Sequence, residues 1–332
     1  MRILFVTNEY PTEDIPGAGP CIRQQQHALE ALGYDVDVLY IDRMASKLNY
    51  LKAALRVFWL AQIKRRYDVI HAHYGYICAL TARMQFRIPV VVTFRGSDVL
   101  RNREKPLSWL LARMIDRSIV MTEEMKQALG RRDALVLPYG IDLDLFKPHS
   151  QAEARRELGL PPDAPLILFP YDPQRALKRF YLVEQAAAIL KQEFPDLQVV
   201  AIHQQPHEQV ARYMNACDAM ALVSTREGAP MAIREAMACN LPIVSVDVGD
   251  VASVIKGTEG CYIVQPDPED IAAKMALILR SRRRSNGRRV AETMGLLPTA
   301  AKVAAIYDRL VRQEAQHGLF TENHAGPDEE PA

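Results

Sequence analysis

Two glutamates stand eight positions apart, Glu227 and Glu235, and the residues between them suggest where a polar ligand could bind. Pro230 suits the first turn of a helix, which we predict over residues 231–238. The first N–H groups of a helix have no partner inside it, so they favour an anion or a sugar oxygen. One carboxylate ahead of the helix and one on it could bracket that ligand. Four consecutive residues follow Glu227 and lead into this helix: Gly228, Ala229, Pro230 and Met231.

Basic residues cluster after a predicted strand that ends at position 169. Arg175, Lys178 and Arg179 lie where we expect the next helix to start. Positive side chains beside the free N–H groups of a helix start favour a diphosphate. This segment is therefore a second candidate site.

The loop Gly17-Ala18-Gly19 follows the first predicted strand and precedes a helix that starts near Pro20. Such glycines could cradle a phosphate or let another backbone approach closely. The dinucleotide-binding fingerprint needs a third glycine, but Ile22 stands at its position. A Rossmann dehydrogenase is therefore disfavoured.

Each of these patterns also has a plain structural explanation. Glu227 could be a loop residue beside a helix start, and Glu235 a solvated helix residue. The basic triple could form a solvated face, and the two glycines could serve only the turn. Spacing alone leaves these alternatives open.

His71 and His73 end the third predicted strand. We expect their side chains to point to opposite sides, which does not suit a single metal ion, and no third ligand is evident. We interpret them as hydrogen-bonded histidines and predict no metal site.

Short β-branched runs alternate with helical patterns along most of the chain, which predicts parallel sheets of the α/β class. The predicted strands are 2–6, 35–40, 68–71, 89–93, 117–121, 134–137, 166–169, 197–202, 218–223, 242–246 and 261–264. A turn-rich break near 138–160 predicts two doubly wound domains that face each other, over 1–148 and 149–312, and we expect a disordered tail over 313–332. Ligands bind beyond the carboxyl ends of strands in such sheets, and the polar segments above fall there.

Composition limits the partners. Lys and Arg number 41 against 40 Asp and Glu, and this balance argues against nucleic acid as a partner. Five scattered cysteines without a CxxC pair indicate reduced, buried thiols in a cytoplasmic protein. The N-terminal apolar run is too short for a signal peptide, and no apolar stretch of about 18 residues could span a membrane.

Residues 48–66 form a basic amphipathic stretch. Its polar positions include Lys52, Arg56 and Lys64, and its apolar positions include Leu55 and Trp59. The stretch could lie on an anionic membrane, which would place the protein at the inner face of the cell membrane. The alternative is an ordinary crossover helix with a solvated face.

Several of these motifs resemble the retaining glycosyltransferases of family 4. The specific part is Glu227-x7-Glu235 with the following 236–244, and looser matches are 68–73, 139–142, 146–148 and 214–218. The resemblance covers roughly residues 1–312. It implies a GT-B fold, in which two Rossmann-like domains face a cleft, and transfer of a sugar from a nucleotide-sugar donor to an acceptor hydroxyl.

The resemblance also implies residue roles. Glu227 would lie near the donor sugar and the transferring carbon, Glu235 would accept hydrogen bonds from the ribose hydroxyls, and Lys178 would neutralise the diphosphate. The 228–231 backbone and Arg175 would assist in binding the donor, for which we expect a UDP-sugar. On the acceptor and phosphate side we place five residues: Gly17, Gly19, His73, Arg95 and Asp98. The family retains anomeric configuration and needs no cofactor or bound metal, because a positively charged cleft stabilises the leaving group.

Three positions depart from the family pattern. Pro173 replaces an arginine five residues before the lysine, Arg95 replaces a histidine, and Tyr139 replaces an asparagine. We expect a transferase acting on a lipid-linked or polysaccharide acceptor, with a GT-B-shaped nucleotide-sugar epimerase and a non-catalytic sugar-nucleotide-binding scaffold as alternatives.

Overall fold

The computed structural model describes residues 1–13, 15, 17–42, 45–46, 48–100 and 105–322. Over these residues the chain forms two parallel sheets, one of six strands and one of five. The predicted α/β class with two doubly wound sheets is confirmed.

The first sheet has the strand order β2-β1-β3-β4-β5-β6. Its middle strands read as continuous apolar runs because helices cover both faces of a parallel sheet. The strands are β1 Arg2–Thr7, β2 Asp35–Tyr40, β3 Val69–His73, β4 Val90–Thr93, β5 Arg117–Val120 and β6 Leu135–Val136. The helices between them are α1 Pro20–Ala31, α2 Asn49–Phe58, which continues as a π-helical turn at Trp59–Ile63, α3 Ile77–Ala82, α4 Ser97–Leu100, α5 Lys105–Leu111 and α6 Glu123–Leu129.

The second sheet has the strand order β11-β10-β9-β7-β8. Its strands are β7 Leu166–Phe169, β8 Gln198–Ala201, β9 Ala219–Leu222, β10 Ile243–Val246 and β11 Cys261–Val264. The helices that follow the first sheet are α7 Gln151–Leu158, α8 Phe180–Leu190 after a 3₁₀ turn at Ala176–Lys178, α9 His207–Ala216, α10 Met231–Ala238, α11 Val251–Ile255, α12 Pro268–Ser281, α13 Arg288–Ala291 and α14 Leu296–Glu322, with a 3₁₀ turn at Glu292–Met294 before the last. All eleven predicted strands are present, with ends shifted by at most two residues.

Each sheet reverses its winding direction once. In the first sheet β1 lies between β2 and β3, and in the second β7 lies between β8 and β9. Ligands bind at such switch points because the loops on either side separate and leave a crevice. The loops after β1, β3, β7 and β9 carry most of the residues singled out by sequence.

The chain crosses between the two sheets twice, and the crossings lie side by side. Ile141 N–H donates to Met294 O at 2.9 Å, and Leu296 N–H donates to Ile141 O at 2.9 Å. Gly140 allows this contact, because a Cβ there would lie 2.6 Å from Leu296 Cα.

The last helix belongs with the first sheet, which the sequence did not predict. Helix α14 buries Val303, Tyr307 and Leu310 in the core that β1, β3 and β4 form. Residues 296–312 were assigned to the second domain because they follow its last strand–helix unit. Their apolar positions repeat every three or four residues, and the partner for that face lies across the second crossing.

The predicted tail also begins too early. Helix α14 continues to Glu322, whereas disorder was expected from residue 313. The sequence after Val311 contains Arg, Gln, Glu and Ala, which propagate a helix well, and the next proline is Pro327. The rest of the predicted tail, 323–332, lies outside the described residues.

None of the helices among the described residues combines the length and apolar character that a membrane span requires.

Candidate active site

The loops at the two switch points face each other across a cleft that holds two adjoining cavities. One has a volume of about 340 Å³ and includes Gly17, Gln204 and Glu235 in its lining. The other has a volume of about 360 Å³ and includes Lys178. Three residues line both cavities: Arg95, Glu227 and Gly228.

Helix α10 starts at this cleft. Pro230 ends the loop with φ −67°, and the helix runs over the predicted residues, Met231–Ala238. Pro230 has no N–H, so the predicted set of four backbone donors reduces to the amides of Gly228, Ala229 and Met231. These residues line the 340 Å³ cavity. The helix start can therefore bind an anion there.

Two contacts fix the position of α10. Arg234, on the helix, is almost fully buried and pairs through both terminal nitrogens with the carboxylate of Asp250. Gly249 lies against the loop ahead of the helix: a Cβ at this residue, whose φ is +59°, would lie 1.9 Å from Gly228 O. The loop between β10 and α11 thus sets where Gly228 lies.

Lys178 and Glu227 meet at the junction of the two cavities. Lys178 Nζ donates to Glu227 Oε1 at 2.5 Å and lies 3.3 Å from the ring centroid of Tyr171. Both side chains are mostly buried, with 8% and 15% of their surface exposed. Burial lowers the pKa of Lys178, and the Glu227 carboxylate offsets part of that effect. Because burial removes most of the water around Lys178, its charge would be stabilised further by a bound anion.

Glu235 has a partner that the sequence analysis missed. His207 Nε2 lies 2.9 Å from Glu235 Oε1, and His207 Nδ1 lies 3.2 Å from the amide nitrogen of Gln24 on α1. Burial alone would lower the pKa of His207, but the Glu235 carboxylate, assisted by Glu208, outweighs it and raises that pKa. The imidazole thus orients Glu235 and joins the two sides of the cleft.

Arg95 lies on the opposite wall. Its Nη1 donates to Glu9 Oε2 at 2.5 Å, and its guanidinium lies 5.9 Å from the ring centroid of Tyr139. Arg95 and Tyr139, two of the departures from the family pattern, therefore contact each other.

Asp98 does not face the cleft. It is fully buried, and its carboxylate accepts hydrogen bonds from the backbone N–H groups of Gly75, Arg95 and Gly96 at 2.7–3.1 Å. Asp98 therefore positions the loops after β3 and β4.

His71 and His73 do not point to opposite sides. Residues two apart on a strand face the same side, and their rings stack with centroids 4.2 Å apart. His71 bonds the hydroxyls of Tyr307 at 2.5 Å and Thr93 at 2.7 Å, and His73 bonds Tyr139 at 2.9 Å. Burial lowers the pKa of His71 to about 3 and that of His73 well below its usual value. Both are fully buried, so neither lines the cleft.

The remaining predicted residues divide between the cleft and the framework. Gly17 lines the 340 Å³ cavity and approaches Gln204: its Cβ would lie 3.2 Å from Gln204 Cα. Gly19 supports the turn, because its Cβ would lie 2.8 Å from Glu9 O. Arg175 is exposed and lines the 360 Å³ cavity. Arg179 instead donates to the carbonyl groups of Val223 and Ser224, which secures the end of β9.

Two protein families match this chain. Residues 16–145 match the one described as Glycosyltransferase Family 4, and residues 197–292 match Glycosyl transferases group 1. The first span includes Gly17 and Arg95, and the second includes His207, Glu227 and Glu235. The chain is a glycosyltransferase.

Known proteins similar to this glycosyltransferase include one from Bacillus subtilis that carries the provisional name teichuronic acid biosynthesis glycosyltransferase TuaC. It is 27% identical over 80% of this chain and 86% of its own length. The sucrose-phosphate synthase of Thermosynechococcus elongatus superposes with a TM-score of 0.73 at 21% identity, over 94% of this chain and 99% of that one. HepE of Anabaena, solved with UDP-glucose, superposes with a TM-score of 0.70 at 16% identity, over 93% of this chain and 100% of that one. The fold of this glycosyltransferase is thus the GT-B fold.

Three polar partners in the glycosyltransferase site escaped the sequence analysis: Glu9, Tyr171 and His207. Each follows the carboxyl end of a strand, which is the signal that could have identified them. Four of the five cysteines are buried, Cys261 is partly buried, and all are free. Within the described ranges, no group of three His, Cys, Asp or Glu side chains could hold a metal ion.

Proposed function

We propose that the cleft binds a nucleotide-sugar donor and transfers its sugar to an acceptor hydroxyl with retention of anomeric configuration. One observation carries the proposal: Lys178, Glu227 and Glu235 surround the start of α10 at the switch point of the second sheet. A cation, two carboxylates and free amides in one cleft match the parts of a nucleotide sugar.

Each part of the donor has a matching group. Glu235, oriented by His207, accepts hydrogen bonds from the ribose hydroxyls. The amides of Gly228, Ala229 and Met231 bind phosphate oxygens, as a helix start favours. Lys178 exchanges its contact with Glu227 for the diphosphate, and Glu227 then faces the sugar.

The chemistry needs charge stabilisation at two points. The bond from the anomeric carbon to the diphosphate breaks while the bond to the acceptor oxygen forms, and the hydroxyl proton passes to an oxygen of the leaving diphosphate. Lys178 and the α10 amides stabilise the negative charge that develops on the leaving diphosphate, and Glu227 stabilises the positive charge at the anomeric carbon. We propose that these groups suffice without a bound metal ion.

Similar proteins narrow the substrates. HepE was solved with UDP-glucose, which supports a UDP-sugar as the donor. TuaC carries a name from teichuronic acid biosynthesis, which supports a polysaccharide or glycolipid acceptor.

Lys178→Ala tests the diphosphate assignment. We expect affinity for UDP to fall at least tenfold and affinity for uridine to change less than twofold, because only UDP carries the charge that Lys178 contacts. Titration calorimetry measures both. Lys191→Ala, on the exposed end of α8, serves as the matched control. Equal losses for both ligands would show that Lys178 has a structural role instead.

We also propose that residues 48–66 bind an anionic membrane. The buried face of this segment consists of Ala53, Ala54, Val57, Leu60 and Ala61. Six other apolar side chains point outward and are 44–65% exposed: Leu48, Leu51, Leu55, Phe58, Trp59 and Ile63. Lys52, Arg56, Lys64 and Arg65 are exposed among them. Apolar side chains surrounded by cations match the surface of a bilayer with acidic headgroups.

Vesicle sedimentation tests this contact. We expect binding to phosphatidylglycerol vesicles at low salt, much weaker binding at 0.5 M salt, and little binding to phosphatidylcholine, because salt screens the attraction. The Phe58→Ser/Trp59→Ser double variant should bind at least tenfold more weakly. Leu277→Ser, which removes an exposed apolar side chain from α12, should bind normally. Binding that ignores both salt and lipid charge would contradict the proposal.

A further inference from the structure

The 360 Å³ cavity contains an excess of positive charge. Among the described residues that line it are four cations and two carboxylates: Arg95, Arg175, Lys178, Arg226, Glu9 and Glu227. The excess amounts to two charges, so the question is which cations remain without a carboxylate.

The pairing leaves two arginines. Arg95 pairs with Glu9 and Lys178 with Glu227, each at 2.5 Å. Both lining carboxylates are thereby used. Within the described part of the chain, no carboxylate lies within 4.0 Å of the guanidinium of Arg175 or Arg226.

Arg226 is also held towards the cavity. Its Nη1 donates to Leu100 O, on the opposite wall, at 3.3 Å, so the guanidinium reaches across the cleft. One hydrogen bond leaves most of its five N–H donors available. Arg175 lies on the same side of the cleft as Lys178. Burial is the main cause that lowers the pKa of Lys178, and the like charge of Arg175 lowers it further.

We infer that the acceptor carries an anionic group, a phosphate or a carboxylate, which Arg175 and Arg226 bind. Both guanidinium groups offer a planar fork that fits either anion through two parallel hydrogen bonds. A bound anion would also offset the like-charge effect of Arg175 on Lys178. The inference rests on the proposed function, because it assumes that the nucleotide occupies the neighbouring cavity and that the diphosphate reaches Lys178 at the junction of the two.

The acceptor is a better match for these arginines than the donor. Glu235, Ala229 and Met231, which we assign to the nucleotide, line the 340 Å³ cavity, and the two arginines line only the 360 Å³ cavity. The donor enters that second cavity only at its junction with the first, where Lys178 and Glu227 meet. The arginines share their cavity with Ser97 and Tyr74 of the first sheet. The donor diphosphate already has Lys178 and the α10 amides.

Titration calorimetry with defined sugars tests the inference. Glucose, glucose 6-phosphate and glucuronate are titrated into the protein with and without saturating UDP. We expect both anionic sugars to bind at least tenfold more tightly than glucose, and Arg175→Gln/Arg226→Gln to remove that preference. Arg226→Gln alone should weaken the preference while UDP affinity stays within twofold. Arg156→Gln, which changes an exposed arginine on α7, should keep the preference. Dihexanoyl phosphatidic acid is titrated in the same way to represent a lipid headgroup. The tighter binder of this lipid and glucose 6-phosphate identifies whether the phosphate belongs to a lipid or to a sugar. Loss of that tighter binding in the double variant supports the inference.

Two outcomes would overturn the inference. If the wild-type protein binds glucose as tightly as it binds glucose 6-phosphate and glucuronate, it has no subsite for an anionic group. A double variant that loses UDP affinity tenfold but keeps the preference would assign the arginines to the donor. If the wild type binds no UDP, the proposed function fails. The titrations without UDP then still show whether the anionic sugars bind more tightly than glucose, and therefore whether the subsite exists.

Discussion

Glu227→Gln should reduce sugar transfer by about 10²–10³-fold, because a charge positioned beside the developing positive centre commonly contributes about 3–4 kcal/mol to the transition state. The fold should survive, since the amide oxygen of glutamine can still accept the hydrogen bond from Lys178, and we expect a stability loss of about 1 kcal/mol. Transfer, or donor hydrolysis where no acceptor is available, is measured against the melting temperature. UDP should still bind, because Glu235 and Lys178 remain.

Glu184→Gln is the matched control, because it removes the same charge from an exposed position on α8. Its turnover should equal that of the wild type. Normal turnover in Glu227→Gln would contradict the role given to this carboxylate. A wild-type protein that binds nucleotide sugars and never turns them over would instead favour a non-catalytic scaffold.

Gly249→Ala should reduce transfer by about 10²-fold, although Gly249 contacts no substrate. Its Cβ would overlap Gly228 O and lie 3.3 Å from Glu227 O, so the loop that carries both residues must move. A displacement of about 1 Å at a reacting centre costs this much in rate. The measurement is kcat for transfer beside UDP affinity, and both should fall.

Gly257→Ala separates this displacement from backbone strain. Gly257 has φ +74°, close to the +59° of Gly249, but nothing lies within 4 Å of its Cβ position. Both variants therefore carry a backbone strain of about 1 kcal/mol, but only Gly249→Ala also produces the overlap. We expect normal turnover in Gly257→Ala. Equal losses in both variants would reduce the effect at Gly249 to strain.

The sequence was sufficient for the eleven strands and for the helix that follows Glu227. The strands were predictable because buried parallel strands are short apolar runs bounded by turn residues. The Glu227–Glu235 segment was predictable because its proline and its spacing act locally. Each of these signals lies within about 20 residues of chain.

The missed features depend on contacts between distant segments. His207 meets Glu235 across 28 positions and Gln24 across 183, which no local pattern encodes. The orientation of α2 was also hidden, because its small residues rather than its large ones face the core. In Asp98, a site-like carboxylate proved to bind three backbone amides, a role that only the folded loops reveal.

The placement of α14 has a consequence for the order in which this protein is made. A chain leaves the ribosome from its N-terminus, and domains usually fold in that order. Here the first sheet is complete by Val136, but Tyr307, which closes its core and bonds His71, is synthesised about 170 residues later. Until nearly the whole chain has emerged, the first half lacks this part of its core, and His71 Nδ1 lacks its hydroxyl partner. A chain that stops short of α14 therefore leaves the first half without an intact core.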